Sequence, residues 1–200
     1  MGSIRKFDRD DAIISMMNDI WRSGFDSISV KAVSEKLGIT RSSFYNAFES
    51  REALFLEALD LYFNHAPYCK LATFSESSDP LILLTQVFKE VCVALCRDPE
   101  HRGCMAVNSV SELVGVNPVL GPVLENAFLN NIKCFEALLE ESIRQGLLPE
   151  NTDAHILALA LQNTLMGLNT MSQLVKSEPE LLSATRVTLE ALNVYRELQY

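Results

Sequence analysis

The chain has 200 residues, of which 48% are hydrophobic and 22% are charged, and its formal net charge is −9. This hydrophobic content excludes a disordered chain, and the length suits one large domain or two small ones. No aliphatic run approaches the roughly 20 residues that span a bilayer, and no secretory signal is recognisable, so we expect a cytoplasmic protein without a membrane partner. The acidic balance argues at first against nucleic acid as a partner.

The five cysteines are scattered without a C-x-x-C pair, and the three histidines lack the spacing of a zinc site. We therefore expect reduced thiols, no metal site and no cofactor. The sequence contains no G-x-S-x-G motif, P-loop or dinucleotide-binding fingerprint, which argues against an enzyme.

Helical periodicity runs through the whole sequence and predicts an all-α fold of about nine helices. Four short helices are expected first, at about 9–23, 30–37, 41–48 and 51–64. A loop is expected at 66–79 because this segment has a proline, several serines and little periodicity. The remaining helical segments are expected at about 80–97, 102–114, 118–145, 153–176 and 179–198.

Two short helices joined by Gly38-Ile39-Thr40 are typical of a helix-turn-helix, whose second helix enters the DNA major groove. The spacing turns polar residues outward, where they can contact phosphates and base edges. We expect the DNA-binding residues to be Ser29, Lys31, Thr40, Arg41, Ser42, Ser43, Tyr45, Asn46 and Arg51. Arg5, Lys6 and Arg9 are expected to add a basic N-terminal arm.

The stretch 27–59 resembles the head of the TetR family of transcriptional regulators. The most specific part is Tyr45-Asn46-Ala47-Phe48 followed by Arg51-Glu52-Ala53-Leu54. The resemblance implies phosphate contacts through Ser29, Tyr45 and Arg51, with 40–43 and Asn46 near the bases. It also implies a ligand-responsive regulator, in most cases a repressor, that binds a palindromic operator as a homodimer and is released by a small-molecule effector.

On this basis we expect two domains. The first, residues 1–50, is a three-helix DNA-binding head, and the second, residues 51–200, is a larger helical domain for effector binding and dimerisation. The resemblance places the dimer contact on the last two helices, as a four-helix bundle. Leucine stripes there suit such a contact, although they also suit the core of a single chain, and they comprise Leu157, Leu161, Leu165, Leu168, Leu182, Leu189 and Leu192.

The effector cavity is expected among the helices at 80–97, 118–145 and 153–176. Apolar walls with a few amides suit a small, partly polar organic ligand, although each residue is equally compatible with ordinary core. The expected lining residues are Phe88, Cys92, Cys104, Asn108, Phe128, Asn131, Cys134, Phe135, Asn163 and Met166. Asn131 and Asn163 are the most informative, because a buried amide requires hydrogen-bond partners.

The segment from Arg102 to Asn108 has an R-G-C-x-x-x-N pattern that resembles a TetR subgroup in which this stretch lies beside the effector pocket. In some members the matching cysteine senses electrophiles or oxidants. An alternative function is therefore a thiol-based repressor using Cys104, with Arg102 and His101 lowering the thiol pKa. The opposing interpretation is that Cys104 is a small buried packing residue. A third alternative is a helical interaction module that does not bind DNA.

The net charge is unevenly distributed along the chain. The first 60 residues contain eight basic and ten acidic side chains, whereas the remaining 140 contain nine and sixteen. Because salt screens each charge beyond roughly 8 Å, local placement matters more than the total. The acidic balance therefore describes mainly the body and does not exclude a narrow DNA-binding face.

Overall fold

A computed structural model of the protein describes residues 8–64, 67 and 79–197, and every regular element in these ranges is helical. The predicted all-α fold of about nine helices is confirmed. The α-helices are α1 Arg9–Ser23, α2 Val30–Leu37, α3 Arg41–Phe48, α4 Arg51–Phe63, α5 Pro80–Arg97, α6 Met105–Leu113, α7 Leu120–Arg144, α8 Ala154–Met171 and α9 Glu178–Ala191. A 3₁₀ turn at Phe25–Ser27 lies between α1 and α2. The expected loop at 66–79 falls, apart from Pro67 and Asp79, outside the described residues.

Capping side chains set the bounds of the helix-turn-helix. The Ser29 hydroxyl accepts a hydrogen bond from the backbone N–H of Ala32 at 3.1 Å, and the Thr40 hydroxyl accepts one from Ser43 at 3.0 Å. Each bond satisfies a backbone donor that the first helical turn leaves without a partner. Gly38 has a φ of 65°, the left-handed conformation that ends α2. Helices α2 and α3 therefore begin and end where the sequence predicts.

The chain forms two compact units that differ from the expected division at residue 50. The first contains Met1–His65 and Asn108–Leu124, and the second contains Ala66–Val107 and Glu125–Tyr200. Helix α4 belongs to the first unit because it packs along α1, and the ring of Trp21 meets that of Tyr62 edge to face at 5.1 Å.

Large apolar side chains fill the centre of each unit. In the first unit, Met16, Phe44, Phe48 and Phe55 are almost completely buried. In the second unit, α5, α7, α8 and α9 surround a common core. At about 25 cal/mol per Å² of apolar surface, this burial supplies most of the free energy that holds the helices together.

Helix α9 ends at Ala191, well before the predicted end at residue 198, which lies outside the described residues. Asn193 has a φ of 59°, and the backbone N–H of Val194 bonds back to the carbonyl of Leu189 at 3.0 Å. The chain then crosses α5, where the backbone N–H of Arg196 donates to the Thr85 hydroxyl at 2.9 Å. In residues 192–196, packing and this hydrogen bond to α5 therefore override any local helical propensity.

Candidate functional site

Helix α3 separates its buried and exposed residues sharply. Phe44 and Phe48 are 0% and 1% exposed, and they pack in the core of the first unit. Arg41, Ser42 and Asn46 are exposed, and Tyr45 on the same outer surface is 53% exposed. An eight-residue helix with this arrangement presents a guanidinium, hydroxyls and an amide together, which are the groups that read base edges and bind phosphates.

The residues predicted to bind DNA form two groups in the structure. Ser29, Lys31, Thr40, Arg41, Ser42, Tyr45 and Asn46 are exposed, whereas Ser43 and Arg51 are half-buried. The Thr40 and Ser43 hydroxyl oxygens lie 2.9 Å apart, so these side chains hold the first turn of α3 in place. Within the described part of the chain, the Arg41 guanidinium makes no ion pair.

Arg51 differs from its expected role as a phosphate-binding side chain. Its Nη2 donates to the carbonyl oxygen of Phe25 at 3.0 Å, and its guanidinium carbon lies 4.4 Å from the centre of the Phe25 ring. Its Nη2 also lies 3.6 Å from a carboxylate oxygen of Asp26. The side chain therefore ties α4 to the 3₁₀ turn, because stacking and hydrogen bonding together hold it inward.

The expected basic arm also needs correction. Arg9 begins α1 rather than extending from the domain, and its Nη2 donates to Glu57 at 2.7 Å. Its Nε donates to the Ala47 carbonyl at 3.2 Å. Because Glu57 neutralises it, Arg9 adds little positive potential to the outer face of α3. Arg5 and Lys6 lie outside the described residues.

Two family models match the chain, one over the helix-turn-helix and one over the body. The model "Bacterial regulatory proteins, tetR family" matches residues 20–58, which contain the helix-turn-helix. The model "Tetracyclin repressor-like, C-terminal domain" matches residues 81–188, more than half of the chain. The chain belongs to the TetR family.

Whole-length relatives are regulators rather than enzymes. The chain is 24% identical over 197 residues to the HTH-type transcriptional repressor ComR of Escherichia coli (strain K12), a match that covers 94% of this chain and 90% of ComR. It is also 24% identical over 201 residues to the uncharacterized HTH-type transcriptional regulator YezE of Bacillus subtilis (strain 168), covering 96% and 100%. This TetR-family chain is accordingly a transcriptional regulator.

A solved structure extends the similarity to a DNA complex. The TetR family transcriptional regulator CifR, as a cysteine mutant complexed with 26-base-pair double-strand operator DNA, has a TM-score of 0.80 to this chain. The two are 26% identical, and the match covers 95% of this chain and 99% of CifR. The similarity therefore includes both the head and the body of the TetR-family chain.

The leucines predicted to form a dimer contact instead belong to the core of the second unit. Leu161, Leu165, Leu168 and Leu189 are buried within the single chain. Leu157, Leu182 and Leu192 are partly buried and pack against the same core. Helix α8 is apolar on both faces, so the helical period alone does not distinguish the inner stripe from the outer one.

The outer face of α8 and α9 carries a second set of apolar residues that the sequence reasoning missed. These exposed residues are Ile156, Leu159, Met171 and Leu174 on or just after α8, and Val187 on α9. Their exposure ranges from 40% for Leu159 to 76% for Leu174. Exposed apolar residues grouped on neighbouring helices are typical of a protein-protein contact.

The predicted effector-pocket residues do not share one environment. Phe88, Cys92 and Phe135 lie in the core, where the rings of Phe88 and Phe135 stack with centres 6.0 Å apart. Cys134, Phe128 and Met166 are half-buried, whereas Asn108 and Asn163 are exposed. A cavity of about 410 Å³ lies between α5 and α9. Of the residues predicted to line the effector pocket, Phe88 alone lines this cavity.

The amides of Asn131 and Asn163 do not need a ligand to satisfy their hydrogen bonds. Asn131 donates through Nδ2 to Gln162 Oε1 at 2.6 Å, so its amide is satisfied within the protein. Asn163 is exposed and needs no buried partner. The argument that these amides await a ligand is therefore not supported by their positions.

The Arg102–Cys104 segment has a structural role. Arg102 donates to Asp98 through Nε at 3.1 Å and Nη2 at 2.9 Å, and its backbone N–H donates to the same carboxylate at 2.7 Å. Burial raises the pKa of Asp98, but these hydrogen bonds outweigh it and the net pKa lies below its ordinary value. Arg102 is therefore occupied by Asp98, and Cys104 is only 3% exposed.

The glycine of this segment allows a close approach to α8. Gly103 has a φ of 72°, and a Cβ atom there would lie 2.7 Å from the carbonyl oxygen of Asn169. Either constraint alone disfavours a side chain. The sequence motif thus marks a packing contact with the end of α8.

Burial affects three of the described thiols, those of Cys92, Cys96 and Cys134. The Sγ of Cys92 lies 3.3 Å from the Thr185 hydroxyl, and burial raises the pKa of this thiol. Burial also raises the pKa of Cys96 and Cys134. A raised pKa lowers the fraction of nucleophilic thiolate at neutral pH. Among the described residues, no three His, Cys, Asp or Glu side chains group to hold a metal ion, and no helix has both the length and the apolar character to cross a membrane.

Proposed function

We propose that this regulator is a repressor that binds a palindromic operator as a homodimer through α2 and α3 and is released by a small-molecule effector. The carrying observation is the exposed polar face of α3, backed by the buried Phe44 and Phe48. The relative ComR is a repressor, and the similar CifR chain is complexed with operator DNA. Repression follows if the bound head blocks transcription and the effector favours the unbound conformation.

Within this face, Arg41 is the principal base or phosphate ligand. It has no ion-pair partner among the described residues, and it lies on the first turn of α3, where the helix N-terminus also favours an anion. Tyr45 and Asn46 lie one turn further along α3 and are exposed, and Ser29, also exposed, caps α2. Arg51 contributes through the placement of the 3₁₀ turn, since its side chain is held inward by Phe25.

The experiment is duplex selection followed by a matched comparison. Wild-type protein is used to select a duplex from a random-sequence pool, and its affinity is measured by gel shift. Arg41→Ala is expected to weaken binding strongly, whereas Lys133→Ala removes an exposed cation from the body and is expected to leave affinity unchanged. Equal affinities, or the absence of any selected sequence, would contradict DNA reading by α3 and favour the interaction-module alternative.

The homodimer is proposed to form through the outer face of α8 and α9. Leu159 on α8 and Val187 on α9 are 40% and 64% exposed in the single chain. The surface at Gly167 of α8 is also open, because an added Cβ there meets no atom within 4 Å. Two copies of this face, packed about a two-fold axis, would bury these apolar groups from water. A dimer also supplies the second α3 that a palindromic site requires.

The effector is proposed to be a small, partly polar organic molecule bound in the body. The R-G-C-x-x-x-N segment supports the subgroup to which the sequence is similar, although Cys104 itself is buried and does not support thiol sensing. We also propose a cytoplasmic location, because a transcriptional regulator of the bacterial type must reach the DNA that it binds. Ligand screening by thermal shift tests this part, since a ligand of the folded state raises Tm.

A further inference from the structure

A carboxylate on α6 holds the turn that precedes the helix-turn-helix. Glu112 accepts hydrogen bonds from the backbone N–H of Phe25 at 3.0 Å and from that of Asp26 at 2.9 Å. Both donors lie at the start of the Phe25–Ser27 turn, where the helical ladder provides no acceptor. All three residues belong to the first compact unit. This pair of bonds is called the Glu112 contact below.

Gly24 shows that the approach is close as well as hydrogen-bonded. Its φ is 78°, and a Cβ atom at this position would lie 2.8 Å from Oε2 of Glu112. A side chain at residue 24 would therefore be strained by the backbone and would collide with the carboxylate. The glycine is thus matched to the Glu112 contact.

The turn held by Glu112 is also held from α4 and leads directly into α2. Arg51 donates to the Phe25 carbonyl at 3.0 Å, so Phe25 is fixed through its N–H by α6 and through its C=O by α4. Ile28, which follows the turn, is only 3% exposed and fixes the chain in the core. The next residue, Ser29, caps α2. The chain from the Glu112 contact to Ser29 is therefore short, and Phe25 and Ile28 anchor it in the core.

We propose that Glu112 is a positioning residue that couples α6 to the operator-binding surface. This proposal rests on the proposed operator binding. Helix α6 begins at Met105, directly after the Arg102–Cys104 segment, and reaches Glu112 in about two turns. A shift of α6 breaks or remakes the Glu112 contact and moves the start of α2. Because such coupling is reciprocal, operator binding must in turn restrain α6.

The first measurement tests the contact in the free protein by amide hydrogen exchange. In Glu112→Ala, the amides of Phe25 and Asp26 lose a charged acceptor and should exchange about tenfold faster. Glu112→Gln keeps one acceptor oxygen and should give an intermediate rate. Glu125→Ala, which removes an exposed carboxylate from α7, is the matched control and should leave both amides unchanged. Unchanged exchange in Glu112→Ala would overturn the proposal.

The second measurement uses a duplex that wild-type protein has selected from a random-sequence pool. Glu112→Ala should bind it about tenfold more weakly, Glu112→Gln should fall between, and Glu125→Ala should match wild type. Duplex binding should slow amide exchange along 108–113 in wild type but not in Glu112→Ala. A purely structural role for Glu112 would not produce this loss of response.

The outcomes separate this inference from the proposed function. A selected duplex that wild type and Glu112→Ala bind equally would overturn the coupling and leave operator binding intact. Failure of wild type to select any duplex would overturn operator binding and the coupling with it. Circular dichroism of each variant confirms that the helices are retained.

A double substitution provides an internal check. Gly24→Ala should weaken duplex binding by itself, because its methyl group displaces the Glu112 carboxylate. In the Glu112→Ala background the collision is removed, so Gly24→Ala should cause a clearly smaller further loss. Additive losses would mean that the two residues act independently and would overturn the proposal.

Discussion

Helices α3 and α8 both bury one apolar face, but their outer faces differ in polarity. Helix α3 buries Phe44 and Phe48 and leaves polar residues on the opposite side. Helix α8 buries Leu161 and Leu165 but carries further apolar residues on its outer side, such as Leu159. A polar outer face is stable in water and is available to a hydrophilic partner such as DNA, whereas an apolar outer face gains free energy when another protein surface covers it.

The difference also fits the two proposed contacts, with DNA at α3 and with a second copy of the chain at α8 and α9. The residues on α3 that face outward need no burial, so the head can release DNA without losing its fold. The proposed dimer face on α8 and α9 would instead gain free energy from lasting burial against a second copy. Substitutions on the inner and outer sides of each helix therefore separate folding from function.

The largest effect is expected from the inner side of α3. Phe44→Ala should lower the free energy of unfolding by about 4 kcal/mol, because it removes a fully buried ring and leaves a cavity. Tyr45→Ala, at the exposed neighbouring position, should change stability by less than about 0.5 kcal/mol. Urea unfolding followed by the fluorescence of Trp21, the single tryptophan, measures both. Similar losses in the two variants would contradict the assignment of the faces.

The second comparison applies the same test to α8. Leu165→Ala should cost about 3 kcal/mol of unfolding free energy because Leu165 is 4% exposed in the core. Leu159→Glu should leave the folded single chain intact but place a charge on the proposed dimer face. Light scattering after size-exclusion chromatography should show a monomer for Leu159→Glu and a dimer for wild type. A dimer in both would exclude this face as the contact.

The third prediction concerns the charge on the outer face of α3. Arg41→Ala should weaken binding of a selected duplex by about 2 kcal/mol, and the slope of log affinity against log salt should become less negative by about one. Lys133→Ala provides the control for loss of a cation elsewhere. For wild type itself the slope should be steeply negative, and a flat plot would contradict phosphate binding by this surface.

The smallest effect is expected from the pH dependence of the Asp98–Arg102 pair. Because hydrogen bonds from Arg102 outweigh burial and lower the folded-state pKa of Asp98, the ionised carboxylate stabilises the fold above its unfolded pKa, near 4. This contribution is lost as pH falls through the lower folded-state pKa. Thermal unfolding from pH 7 to pH 3 should therefore show a smaller decrease in Tm for Asp98→Asn than for wild type. An identical pH dependence would show that the pair does not contribute in this way.

The limits of the sequence patterns follow from the same physics. In the helix-turn-helix, α2 and α3 each begin at a capping hydroxyl and have one apolar face, so local chemistry determines both their bounds and their orientation. In α8, leucines occur on both sides, and the sequence provides no local signal that distinguishes the core stripe from the outer one. Asn131 was also unpredictable from local sequence, because the partner that satisfies its amide, Gln162, is 31 positions away along the chain.

Charged side chains were the least predictable group because their partners are distant in sequence. Arg51 carries a positive charge at a helix start, which favours a phosphate, yet in the structure it stacks on Phe25. Arg9 is likewise paired with Glu57, and Glu112 reaches a turn 87 and 86 positions earlier in the chain. None of these pairings has a periodic signature.

The sequence by itself therefore determined the helical class, the helix-turn-helix and the polar face of α3. These features depend on caps, turns and periodicity within about ten residues, which are local properties of the chain. The tertiary structure decided which face of α8 is buried, where α9 ends, and which cations remain free to meet DNA. These outcomes depend on contacts between segments far apart in the chain, where packing and hydrogen bonding outweigh local preference.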